Sequence, residues 1–198
     1  MPLLRVTKNG THLCSVGSND VWTFSASLRA DIWGPERSEL TVTGGGKRLP
    51  DGSSDFLIWQ MSHELKEGDR IGFSFEEGVA SSPKGEVFIG EPTPDTEKID
   101  FFGPVPEDEI VRLERRPTLN TKCAWRFVAP DEAALVAAPD ETRQNVSLHI
   151  LWNDMRPNRM RVNLSKSSLR EVTSRSEGEE LFLRYVEIGA HVEVSVGI

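Results

Sequence analysis

The sequence predicts a mainly β protein. Two similar antiparallel β modules, sandwich- or barrel-like, pack together with a Pro-rich connector and at most one or two short helices. Three observations carry this expectation. In residues 21–33, Trp22, Phe24, Ala26, Leu28, Ala30 and Ile32 alternate without a break against Thr23, Ser25, Ser27, Arg29 and Asp31. That period of two belongs to a strand with one buried and one wet face. A related pattern, Val146, Leu148, Ile150 and Trp152, comes 120 positions later. Between them, residues 81–118 hold six of the chain's 12 prolines, which interrupt strands and helices alike.

The elements follow in order. Residues 3–6 open as a strand, and Asn9-Gly10 is a tight hairpin turn because both residues tolerate positive φ. Residues 12–16 return, 17–20 turn, and the long strand runs to Gly34-Pro35, which cannot continue a central ladder. Leu40 and Val42, alternating with Thr41 and Thr43, make the next strand. Gly44–Gly46 and residues 50–54 are flexible turn segments. Residues 56–61 form a continuous apolar run, expected to be covered on both faces. After a Glu67-Gly68-Asp69 turn, Ile71, Phe73 and Phe75 alternate with polar or small residues. In the connector, residues 87–89, 99–102 and 110–113 can each dock, the last as a short helix. Residues 123–128 resume as a strand. Pro130-Asp131-Glu132 followed by 133–138 is the strongest helix signal, with acidic residues in its first turn and Pro139 as a stop. Residues 146–152 and 160–164 are strands, 165–180 a loop or frayed helix around Leu169 and Val172, and 181–186 and 192–198 the closing strands. The apolar last strand is expected to be docked.

This places a first β module at 1–80, an acidic connector at 81–118 and a second module at 119–198, possible also as one compact unit. At an offset of 120, Ser27, Leu28, Ala30, Ile32, Leu40 and Val42 meet Ser147, Leu148, Ile150, Trp152, Met160 and Val162. One residue later in offset, Ile71, Phe73 and Phe75 meet Val192, Val194 and Val196. Every apolar position keeps its face, which a one-residue slip would reverse. An internal duplication is therefore expected, with a site at the seam between modules.

Net charge is −8. The acidic balance argues against a nucleic-acid binder, which carries a basic patch, and suits a basic protein partner. Cys14 and Cys123 stand far apart without a CxxC motif, so neither a disulfide framework nor a metal site is expected. No signal peptide and no run of ~18 apolar residues is present, and a cytoplasmic, membrane-free protein is the expectation.

Catalytic motifs are absent or incomplete. His63-Glu64-Leu65-Lys66-Glu67 has Glu where the zinc helix needs its second His, and it continues a strand. Gly44-Gly45-Gly46-Lys47-Arg48 lacks the hydroxyl and the helix of a phosphate loop. No GxSxG elbow occurs. The remaining constellation is a polar seam of Arg29, Asp31, Arg70, His149 and His191 on presumed wet strand faces, where the two histidines could approach each other. Trp33, beside Gly34-Pro35 on the polar face, is a candidate exposed anchor for protein or sugar. These six are candidate binding residues; no catalytic residue, metal or cofactor is assigned. The function expected is a non-catalytic binding protein of adaptor, inhibitor or immunity type. The alternatives are a hydrolase or isomerase with its site at the seam, and a carbohydrate-binding or structural β module.

Overall fold

A computed structural model describes residues 1–30, 38–47, 50–78, 80–89, 105–115, 124–174 and 176–197. Two antiparallel sheets face one another and do not close into a barrel. The strands are β1 (Pro2–Lys8), β2 (Thr11–Gly17), β3 (Val21–Ala30), β4 (Ser38–Gly46), β5 (Phe56–Leu65), β6 (Arg70–Glu77), β7 (Glu86–Val87), β8 (Trp125–Val128), β9 (Leu135–Ala137), β10 (Asn145–Asn153), β11 (Arg159–Ser167), β12 (Glu179–Glu187) and β13 (His191–Val196). The helices are α1 (Glu107–Glu114) and α2 (Leu169–Thr173). The first sheet has the order β2-β1-β6-β13-β8-β9 and the second β12-β11-β10-β3-β4-β5-β7.

Each half of the chain thus feeds both sheets. The halves meet along two strand pairs. In the second sheet β3 pairs with β10, Leu28 opposite Leu148. In the first, β6 pairs with β13, Gly72 opposite Glu193. Outward from both seams the strand order reads alike in either direction, apart from the β7 stub. Side chains from both halves fill one apolar core, including Leu28, Leu148, Phe73, Val192 and Val194, all fully buried. Alternation puts them there, because every second residue of β3, β6, β10 and β13 points between the sheets.

Polar groups bridge the layers where the core allows. The Trp125 indole N–H of β8 donates to Ser38 Oγ of β4 at 2.9 Å, fully buried. Phe24 and Trp152 stack at 5.1 Å, and Phe127 meets Phe182 across the sheets at 5.0 Å. At one corner Asp69 accepts from the Lys66 backbone N–H and the Asn9 amide, each at 2.8 Å, and pairs with Lys8 at 2.9 Å. Asn9 and Gly10 take φ of 54° and 77°, the left-handed pair of the expected hairpin turn.

Four expectations are corrected. Gly44–Gly46 is not a turn but the end of β4, with Gly44 between Phe24 and Leu57 and Gly45 between Thr23 and Phe56. Residues 131–138 form no helix. Leu135–Ala137 is an edge strand on β8, with Ala137 buried opposite Trp125. Two turns of alanine-rich helix nucleate poorly, and strand pairing with burial of Ala137 outcompetes them. The run 56–61 is only partly covered. Trp59 is buried, whereas Phe56 and Met61 are about half exposed, at 47% and 56%, because β5 lies near a sheet edge flanked only by the two-residue β7. Trp22 does not continue the buried face of β3. A bulge at Val21/Thr23 sends Val21 inward and lays Trp22 over Gly45, where its indole N–H reaches Ser54 Oγ at 3.2 Å. The short helix at 110–113 lies within α1, and the last strand is docked between β6 and β8.

Candidate functional site

The outer face of the second sheet is built by the odd positions of β3 and β10, which the pleat turns away from the core. Ser25, Ser27 and Arg29 stand on β3, and Ser147 and His149 on β10. Register sets His149 opposite Ser27 and Arg29 opposite Ser147. On the flanking strands, Glu39 of β4 lies opposite Arg29 and Asn163 of β11 opposite His149. Together with Val172 of α2, Ser27, Arg29, Glu39, Ser147 and His149 line a cavity of about 450 Å³. Asn145 and Ser167 close one end, joined by a 2.9 Å hydrogen bond.

His149 hydrogen-bonds Ser25 through Nε2 at 2.8 Å, and Ser147 Oγ meets Ser165 Oγ at 3.1 Å. The His149 ring is exposed on one side, yet the crowded strand face desolvates it. With the Arg161 and Arg29 guanidiniums nearby, this lowers its pKa below the usual imidazole value. The surroundings thus favour the neutral ring over the imidazolium. A hydroxyl–imidazole pair of this kind becomes a nucleophile when a carboxylate orients the other ring nitrogen. Among the described residues no carboxylate bonds that nitrogen, and the charges that act on the ring are those of Arg161 and Arg29. Arg29 and Arg161 form no ion pair among the described residues. Arg5, Arg112, Arg143, Arg159, Arg170 and Arg184 each hold a carboxylate.

The expected polar seam is divided. Arg29 and His149 share the cavity, but Arg70 and His191 lie on the outer face of the first sheet, on the opposite side of the sandwich. There His191 Nδ1 meets Ser74 Oγ at 2.9 Å, its ring lying over Gly72, and Arg70 faces Ser195. Parity marks a wet face without saying which sheet bears it, so the two histidines do not meet. Asp31 and Trp33 lie outside the described residues, as does Cys123. Cys14 is buried on β2, which pushes its thiol pKa up to about 12 and leaves it unreactive. His63 and Glu64 sit on β5, a strand, and the described residues hold no cluster of three metal-ligating side chains. The site residues that the seam left out are Ser27, Ser147, Glu39 and Arg161. The repeated Ser-Leu at 27–28 and 147–148 is the signal that pointed to the first two.

No protein-family model matches this chain, and neither a curated protein nor a solved structure matches it.

Proposed function

We propose that this protein is a non-catalytic binding protein that recognises its ligand on the outer face of the second sheet. The observation that carries the proposal is the company His149 keeps. Its ring is hydrogen-bonded to Ser25, two guanidiniums lie near it, and among the described residues no carboxylate bonds its other nitrogen. Such a set holds a ligand, but it does not activate a hydroxyl. The carbohydrate alternative calls for coplanar exposed aromatics. Phe56 and Phe88 instead meet edge-on at 85°, and the Tyr185 hydroxyl is taken up by Arg156 at 2.9 Å.

The internal duplication belongs to the same proposal. The sequence offsets of 120 and 121 relate Leu28 to Leu148 and Gly72 to Glu193, and these are the residues that face one another at the two seams. An approximate two-fold through both pairs accounts for the mirrored strand order. It also puts the cavity beside the axis, with one repeat giving Ser27 and Arg29 and the other Ser147 and His149.

A second reading, a basic protein partner, rests on the net charge of −8. One experiment addresses all of these. The protein and its His149→Ala variant are used as bait in lysate of the source organism, at low salt and at about 0.5 M salt, where charge steering is screened. Hydrolysis of small esters is assayed in parallel with Ser25→Ala. A partner retained by the parent and lost from His149→Ala supports recognition on this face. One basic protein lost only at high salt favours the second reading. Ester turnover that disappears in Ser25→Ala refutes the non-catalytic assignment.

A further inference from the structure

We propose that the cavity between β3 and β10 is an oxyanion site that takes a small molecule by a phosphate or carboxylate group. The proposal rests on the reading of this face as the recognition face and names the ligand class. Register fixes the frame. Arg29 opposite Ser147 and Ser27 opposite His149 put four polar side chains at the corners of a rectangle, roughly 5 Å across the strands and 7 Å along them. Arg29 and His149 occupy one diagonal, two serine hydroxyls the other. An oxyanion at the centre receives the guanidinium's forked, charge-assisted pair and the Ser27 hydroxyl, and Ser147 and His149, when they accept from Ser165 and Ser25, each keep one hydrogen to donate to it.

The charges agree with this. The protein is acidic overall, and among the described residues Arg29 and Arg161 hold no carboxylate, whereas Arg5, Arg143 and Arg184 each hold one. Cations at and near a half-enclosed cavity raise the local concentration of anions. Glu39 opposes them at the rim, opposite Arg29, and so directs the anionic group toward Ser147 and His149. A volume of about 450 Å³ lies in the range of small-molecule sites, and Val172 gives the body of the ligand an apolar contact. The groups that face His149 are Arg29 from β3, Glu39 from β4 and Arg161 from β11. A bound anion among them stabilises the protonated ring, so binding strengthens as pH falls and the His149 titration moves upward.

The test is an NMR titration of the whole chain with inorganic phosphate and, separately, malonate, chloride holding the ionic strength constant. Saturable shifts of the His149 ring and of the Ser27 and Ser147 amides are expected. Arg29→Gln should weaken them about ten- to a hundredfold, the loss of a charge-assisted bond, and Arg126→Gln, exposed on the first sheet, should leave them unchanged. Response to phosphate alone or malonate alone identifies which group the site takes. The proposal is overturned if neither probe gives a saturable shift up to about 50 mM, or if Arg29→Gln binds like the parent. If the probes fail while His149→Ala still loses its lysate partner, the oxyanion assignment falls and the recognition face stands. If Ser25→Ala abolishes an ester hydrolysis while phosphate still binds, the oxyanion site stands and the non-catalytic assignment falls.

Discussion

Truncating Leu28 and Leu148 tests the central seam directly. Both side chains are fully buried, at 0% exposure, and they oppose each other across the β3–β10 pair. Leu→Ala removes three carbons, and at ~0.8 kcal/mol per buried carbon the transfer loss is about 2.4 kcal/mol. A cavity that does not relax raises the cost to about 3–4 kcal/mol. In a chain of this length that lowers Tm by roughly 6–16 °C. The two holes lie side by side, so in the double variant they merge, and neighbours already loosened by the first truncation lose less in the second. The double variant should therefore fall short of the summed single effects by about 1 kcal/mol. Urea unfolding of parent, singles and double, followed by tryptophan fluorescence, measures all four corners of the cycle. Additivity within about 0.5 kcal/mol would mean that the two leucines share no contact, and the register at the seam would be refuted.

Two further perturbations report on other parts of the fold. A Cβ at position 45 would come within 2.5 Å of the Trp22 indole nitrogen. Gly45→Ala should push that ring toward water, seen as a red shift in the parent background that vanishes when Trp22→Phe is present, at a cost of about 1–3 kcal/mol. At the Asp69 corner, burial alone would raise the carboxyl pKa, but the Lys66 N–H and the Lys8 and Asn9 side chains outweigh it and hold the group below the usual carboxylate value. Because the folded pKa is the lower one, the contribution is present above the ordinary carboxylate pKa and is lost as pH falls through the folded value. Asp69→Asn should cost about 1–2 kcal/mol at pH 7 and should flatten the acid limb of the stability profile below the ordinary carboxylate pKa. An unchanged acid limb would show that this carboxylate does not contribute.

The strands were legible because their signal is local. Alternation in β3 and β10 names the buried face residue by residue, and Asn9-Gly10 announces its turn. What the sequence hid is non-local. Nothing in residues 131–138 reveals that β8 will offer Ala137 a buried place in a sheet, so a good helix composition lost to pairing. The bulge that turns Trp22 outward adds one residue to a strand whose written alternation is unbroken. The candidate site was half legible for the same reason. Parity put Arg29, His149, Arg70 and His191 on wet faces, but the assignment of β3 and β10 to one sheet and β6 and β13 to the other depends on how the chain crosses between layers. The serines of the cavity were visible as wet-face residues and gained their meaning only when the two strands lay side by side.

The two seams also bear on synthesis. Neither half owns a complete sheet. When the first half has left the ribosome, β3 and β6 each present a free edge of main-chain donors and acceptors backed by apolar side chains. Those edges wait for β10 and β13, more than a hundred residues downstream, and contacts of such separation form slowly. During that interval the second half of a neighbouring nascent chain competes with the tethered one for those edges, and it is tethering that keeps the completed sandwich within one chain.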